Sequence, residues 1–174
     1  MRILLVCFAI FAISFGQNLD DKFRQAVRAF NDANCTEAAK IYEELVEKGH
    51  IEAIYNYAWM REKASCVEGD YKDAISLYER AIKEGDDRIK ALASYRMGLL
   101  FATGRGVEQD VTQAKEFWQT SENLGYAQAS YSLGMLYYQG MDGKKDENIA
   151  REYFKKACQS GVKQACVFSE KIGK

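Results

Sequence analysis

Ala93-Ser94-Tyr95-Arg96-Met97-Gly98 recurs 36 residues later as Ala129-Ser130-Tyr131-Ser132-Leu133-Gly134, and each copy is followed six residues on by a further glycine, Gly104 and Gly140. Self-similarity at a fixed period of this size marks an array of supersecondary units, each too small to bury its apolar face without a neighbour. The same register extends in both directions. Ala38, Ala74, Ala114 and Ala150 each stand four residues before an aromatic, namely Tyr42, Tyr78, Trp118 and Phe154. A glycine follows at Gly49, Gly85, Gly125 and Gly161, and a second alanine at Ala53, Ala93, Ala129 and Ala165. That alanine lies four residues past the glycine except in the second copy, where Asp86-Asp87-Arg88-Ile89 read as a four-residue insertion.

Small and large side chains four apart share one face of a helix, so a neighbouring helix approaches closely at the alanines and packs around the aromatics. We term this helix A. Its terminal glycine suits a left-handed cap. Helix B follows with Ala and a Leu-Gly or Met-Gly pair at spacings that again permit close packing. The pattern predicts A and B helices over 36–48 and 51–63, 72–84 and 89–102, 112–124 and 127–139, and 147–159 and 162–172. Phe23, Val27 and Phe30 recur at helical spacing and predict a further helix over 19–32 that covers the open end of the stack. Thirteen glycines and no proline agree with helices joined by glycine turns. The fold class expected is all-α, with a covering segment at 17–35 and a repeat domain at 36–174 divided as 36–71, 72–111, 112–146 and 147–172.

The 174 residues are 48% hydrophobic, enough for a sizeable core, and the formal net charge of -1 provides no global field for nucleic acid or an anionic membrane. Residues 1–16 read as a secretory signal peptide: Arg2, an apolar run from Ile3 to Ile13, then Ser14-Phe15-Gly16 as a small-x-small cleavage site before Gln17. The run is shorter than the roughly 20 apolar residues that span a bilayer. A lipid-anchor reading of Cys7 is disfavoured by Val6 before it and by the apolar residues that continue past it. The expected location is periplasmic or secreted. Cys35, Cys66, Cys158 and Cys166 then remain, and an even number in an exported chain reads as disulfides. There is no Cys-x-x-Cys, and His50 is the one histidine, so no metal site and no cofactor are expected.

The pattern Ala-x3-aromatic-x2-small-x3-Gly-x3-Ala-x-Tyr-x-Leu-Gly-x5-Gly resembles the Sel1-like repeat, a relative of the tetratricopeptide repeat, over residues 36–172. The first copy departs from it, with Ala58 in place of the Leu-Gly glycine and Ala64 in place of the closing one. The resemblance implies a right-handed α-solenoid of about four repeats that binds a protein or peptide partner. Cys158 and Cys166, eight positions apart across the last A–B turn, are similar to the pair in a secreted cysteine-rich bacterial branch of that family, a branch associated with penicillin binding and weak β-lactamase activity. That chemistry requires Ser-x-x-Lys, Ser-x-Asn and Lys-Thr-Gly. Ser160-Gly161-Val162-Lys163 and Ser121-Glu122-Asn123 match the first two strings and nothing matches the third. The first also straddles a turn glycine instead of opening a helix, so no catalytic residue is assigned.

Cys158 ends helix A and Cys166 opens helix B on either side of the turn at Gly161, which predicts that they pair. Cys35 precedes the first helix A and Cys66 follows the first helix B; those ends are adjacent in an antiparallel hairpin, which predicts the second pair. The two terminal repeats would thus be stapled. Asp32-Ala33-Asn34-Cys35-Thr36 resembles the extended acceptor of bacterial N-glycosylation and marks Asn34 as a candidate. The same residues also suit local capping, with Asn34 ending the first helix and Thr36 starting the next. Together these residues point to an exported scaffold for a protein or peptide partner in the bacterial envelope. A β-lactam- or peptidoglycan-fragment-binding protein is the alternative.

Overall fold

A computed structural model describes residues 18–172; the signal sequence expected over 1–16 lies outside them. Among the described residues there are nine helices and no strand. They are α1 (18–31), α2 (Cys35–Glu47), α3 (Ile51–Lys63), α4 (Tyr71–Glu84), α5 (Asp87–Thr103), α6 (Val111–Asn123), α7 (Ala127–Gln139), α8 (Glu147–Gln159) and α9 (Lys163–Lys171). Each end lies within two residues of the boundary read from the repeat. None is long and apolar enough to cross a membrane. The chain divides between Leu77 and Tyr78 into two compact units.

The A helices start alike. Asn34, Asp110 and Asp146 accept the backbone N–H three residues on, from Glu37, Gln113 and Ile149, and Asp70 does the same for Asp73. All four stand four residues before the repeat alanine. Short carboxylate and carboxamide side chains satisfy donors that the first helical turn leaves without partners.

In the first unit, Ala26 and Ala29 of α1 pack with Ala38, Tyr42 and Leu45 of α2 and with Ala53 and Met60 of α3. His50 fastens α1 to this hairpin. It is buried, stands at the start of α3, and its Nδ1 accepts the Ala53 N–H at 3.3 Å. With Nδ1 accepting, the neutral ring carries its proton on Nε2, which faces Asp20 of α1 at 3.2 Å. Phe23 stacks on the same ring at 4.8 Å. The departure in the first copy also has a visible cost: α3 ends at Ala64 with φ +50°, where α5 and α7 end at Gly104 and Gly140 with φ +66°. A side chain in the left-handed region costs about 1 kcal/mol.

In the second unit, α5 packs on α6 and α7 on α8. The glycine of the Leu-Gly or Met-Gly pair makes this possible. A Cβ at Gly98 would stand 2.4 Å from Trp118 Nε1, and one at Gly134 2.7 Å from Phe154 Cδ1. Each glycine of a B helix therefore admits the large residue of the next A helix, which a longer side chain would displace. The Ser121 hydroxyl adds a buried cross-link by donating to Ala91 O at 2.7 Å. The insertion in the second copy appears as length in α5, which has 17 residues where α7 has 13. Four residues are about one helical turn, so the buried face keeps its direction.

Candidate functional site

With the repeat alanines and aromatics inward, other positions of helix A face out. In α2, Thr36, Glu37, Lys40, Ile41 and Glu44 line a cavity of about 510 Å³ together with Lys22 and Gln25 of α1 and Asn34. In α8, Asn148, Ile149, Glu152, Tyr153 and Lys156 line a cavity of about 450 Å³ with Glu122 of α6 and Arg151. Counted from Ala38 and Ala150, the five residues of α2 and the five of α8 occupy the same register positions.

Both cavities set large apolar side chains among carboxylates and basic groups: Ile41, which is buried in the core, in the first, and Ile149 and Tyr153 in the second. Around the first, Glu44 Oε1 accepts from Lys22 Nζ at 2.6 Å and also from Lys48. Those two hydrogen bonds hold the Glu44 carboxyl down at about 2. A carboxyl lowered in the folded state contributes stability above its ordinary value of 4.5, and that contribution is lost as pH falls toward 2. An NMR titration of the side-chain carboxyls is expected to find Glu44 with a midpoint near 2, moving up toward 4.5 in Lys22→Ala. Because the cluster is exposed, high salt is expected to shrink the difference. Around the second cavity, Lys156 pairs with Glu122, and Tyr153 stacks on Tyr137 at 5.8 Å. Lys115 caps that stack, its Nζ 4.7 Å from the Tyr137 ring and 3.3 Å from Asp142 Oδ2.

The four cysteines are brought together in two disulfides. Cys35, the first residue of α2, is joined to Cys66 in the loop after α3, with Cα atoms 4.6 Å apart. Cys158 of α8 is joined to Cys166 of α9 across the Gly161 turn, at 4.7 Å. Asn34 is exposed, but its side chain is engaged: Oδ1 accepts the Glu37 N–H at 3.5 Å and Nδ2 donates to Glu37 Oε2 at 2.9 Å. Asn34, not Thr36, is therefore the residue that starts α2; Thr36 lies inside the first turn. The positions of Asp70, Asp110 and Asp146 in the other copies carry that signal in the sequence itself.

Ser160 ends α8 and Lys163 opens α9, both exposed on the turn. Ser121, of the second string, is buried and spent on Ala91. Among the described residues no three His, Cys, Asp or Glu side chains gather as a metal site would require. The tie that His50 makes between α1 and α3 has no signal in the sequence, because its partners Asp20 and Phe23 lie far away in the chain and outside the repeat.

The Sel1 repeat model matches residues 51–86, 91–126 and 127–162, more than half of the chain. The chain belongs to the Sel1 repeat family. The matched Sel1 units begin at helix B and end after helix A, so they correspond to α3–α4, α5–α6 and α7–α8, flanked by α1, α2 and α9. Two solved structures support the same fold. A Sel1 repeat protein from Oxalobacter formigenes is 25% identical with a TM-score of 0.66, over 76% of this chain and 51% of that one. A protective antigen of uropathogenic Escherichia coli with an SLR fold is 20% identical with a TM-score of 0.76, over 90% of this chain and 33% of that one. The chain thus spans about half of the first and a third of the second. No curated protein matches this chain.

Proposed function

We propose that this Sel1 repeat chain is an exported scaffold that holds protein or peptide segments at the outward positions of its A helices. The observation that carries the reading is the recurrence of the same five register positions as the lining of a cavity in α2 and again in α8. Repeat proteins bind through positions that vary while the buried register stays constant, and here alanine and aromatic are kept while the outward residues differ. The mixture of an apolar residue with both charge signs suits a segment that offers apolar side chains and charged groups together. Export is supported by the apolar, Arg2-led stretch at 1–16 and by two disulfides, which persist in oxidising compartments.

Site-specific photo-crosslinking in cells tests the face. A photoreactive residue at Lys40 or Glu152 is expected to capture one reproducible partner, and the same residue at Lys63 or Gln128 on the B helices is expected to capture none. Capture from the B-helix positions and not from the A-helix positions would overturn the assignment. The alternative, a β-lactam- or peptidoglycan-fragment-binding protein, rests on the resemblance of the Cys158–Cys166 hairpin, and a labelled penicillin that neither acylates nor binds the purified chain would count against it. Asn34 as a glycan acceptor stays within the same proposal. Since its Nδ2 is bonded to Glu37 while it caps α2, attachment would have to precede closure of that turn.

A further inference from the structure

A separate cavity in the first unit, about 210 Å³, shares no residue with the A-helix face. Its apolar walls are Val27 and Phe30 of α1 and Trp59 and Met60 of α3, with Phe30 and Trp59 edge to face at 5.9 Å, and its polar lining is Asn31 of α1, Tyr42 of α2 and Asn56 of α3. Size restricts the occupant. An apolar cavity of about 150 Å³ accepts benzene, and sites for drug-sized ligands start at about 300 Å³, so this one holds a single ring. Charge restricts it further: no carboxylate, amine, guanidinium or imidazole lines the cavity, which favours a neutral group.

The polar atoms then define the substituent. Asn56 Nδ2 donates to Tyr42 Oη at 3.3 Å. Among the described residues the Tyr42 O–H has no acceptor and Asn56 Oδ1 has no donor. Burial raises the Tyr42 pKa, so its proton stays in place as a donor. One donor beside one acceptor is the complement of a hydroxyl, which accepts and donates at once. The repeat shows why the space exists here. At the position of Asn56 the second copy has Arg96, whose Nε reaches Tyr78 Oη at 3.5 Å, and the fourth has Phe168, which stacks on Phe154 at 5.0 Å. Asn56 is shorter than Arg96 and Phe168, though longer than Ser132 of the third copy, so the space also depends on α1, which stands outside the repeat and closes it on one side.

We infer that this cavity is a binding site for a phenolic ring, whose hydroxyl would accept from Tyr42 and donate to Asn56 while the ring lies among Val27, Phe30, Trp59 and Met60. The ring arrives as a free phenol or as a tyrosine side chain of a bound segment. The intact protein is titrated with p-cresol and separately with toluene, reading the Met60 methyl and Trp59 indole N–H signals by NMR. Saturable shifts of both signals are expected with p-cresol, and binding at least about fivefold weaker with toluene, which lacks the hydroxyl. Asn56→Leu is expected to erase the preference for p-cresol, and Val27→Phe, which fills the cavity from its half-exposed edge, to abolish both titrations. Absence of saturable shifts in the unaltered protein would overturn the inference, as would equal affinity for the two probes. A capped Ala-Tyr-Ala tripeptide that also saturates these signals assigns the site to tyrosine side chains; p-cresol binding without tripeptide binding assigns it to free phenols.

Discussion

Phe154→Ala is expected to cost about 3–5 kcal/mol of unfolding free energy, the range for removing a large aromatic from a packed interior. Phe154 is 0% exposed. Its ring stacks on Phe168 at 5.0 Å, meets Tyr131 at 5.7 Å and Tyr138 at 6.3 Å, and lies against the backbone of Gly134. Glycine has no side chain with which to fill the space left behind, so the cavity would persist. The loss should also be local. Stability in a repeat array is a sum over units and their immediate interfaces, and the last hairpin, α8–α9, has a neighbour on one side among the described residues. Amide exchange in α8 and α9 should therefore accelerate much more than in α5 and α6. A loss below about 1 kcal/mol, or one spread evenly over the second unit, would mean that Phe154 is not the anchor described here.

Removing the Cys35–Cys66 bond by a Cys35→Ser, Cys66→Ser double substitution is expected to cost about 3.5 kcal/mol, and removing Cys158–Cys166 about 2.5 kcal/mol. The order follows from the loops that they close, with sequence separations of 31 and 8. The two bonds lie in different compact units, so their effects should add, and reduction of the unaltered protein should reproduce the sum. Denaturant unfolding of the two double variants, the quadruple variant and the reduced protein measures all four values. A larger loss from the eight-residue loop than from the 31-residue loop would contradict the chain-entropy argument.

Most of the helical architecture is legible before any coordinates, because each alanine and aromatic of the register reports the buried face of its helix. Ala38, Ala74, Ala114 and Ala150 are all fully buried, as are Ala53, Ala93, Ala129 and Ala165. Even the insertion at Asp86–Ile89 is benign for a reason that the sequence contains, since four residues make about one turn. What escapes is non-periodic. His50 meets Asp20 and Phe23 across about 30 residues with no repeat to announce it, and Ala64 takes a left-handed cap that its residue type argues against. The candidate face is intermediate between these cases: the register supplies its positions, but only the packing reveals which of them remain open. Asn34 shows how a local motif can mislead. Its acceptor-like context draws attention, while its alignment with Asp70, Asp110 and Asp146 identifies its mechanical task.

Intact mass spectrometry of the protein from its native cells, alkylated with and without prior reduction, tests the central claim of an exported, disulfide-stapled Sel1 scaffold most directly. The expected result is a chain beginning at Gln17 that takes up four alkyl groups only after reduction. A chain that retains Met1 and is alkylated at Cys35, Cys66, Cys158 and Cys166 without reduction would contradict it.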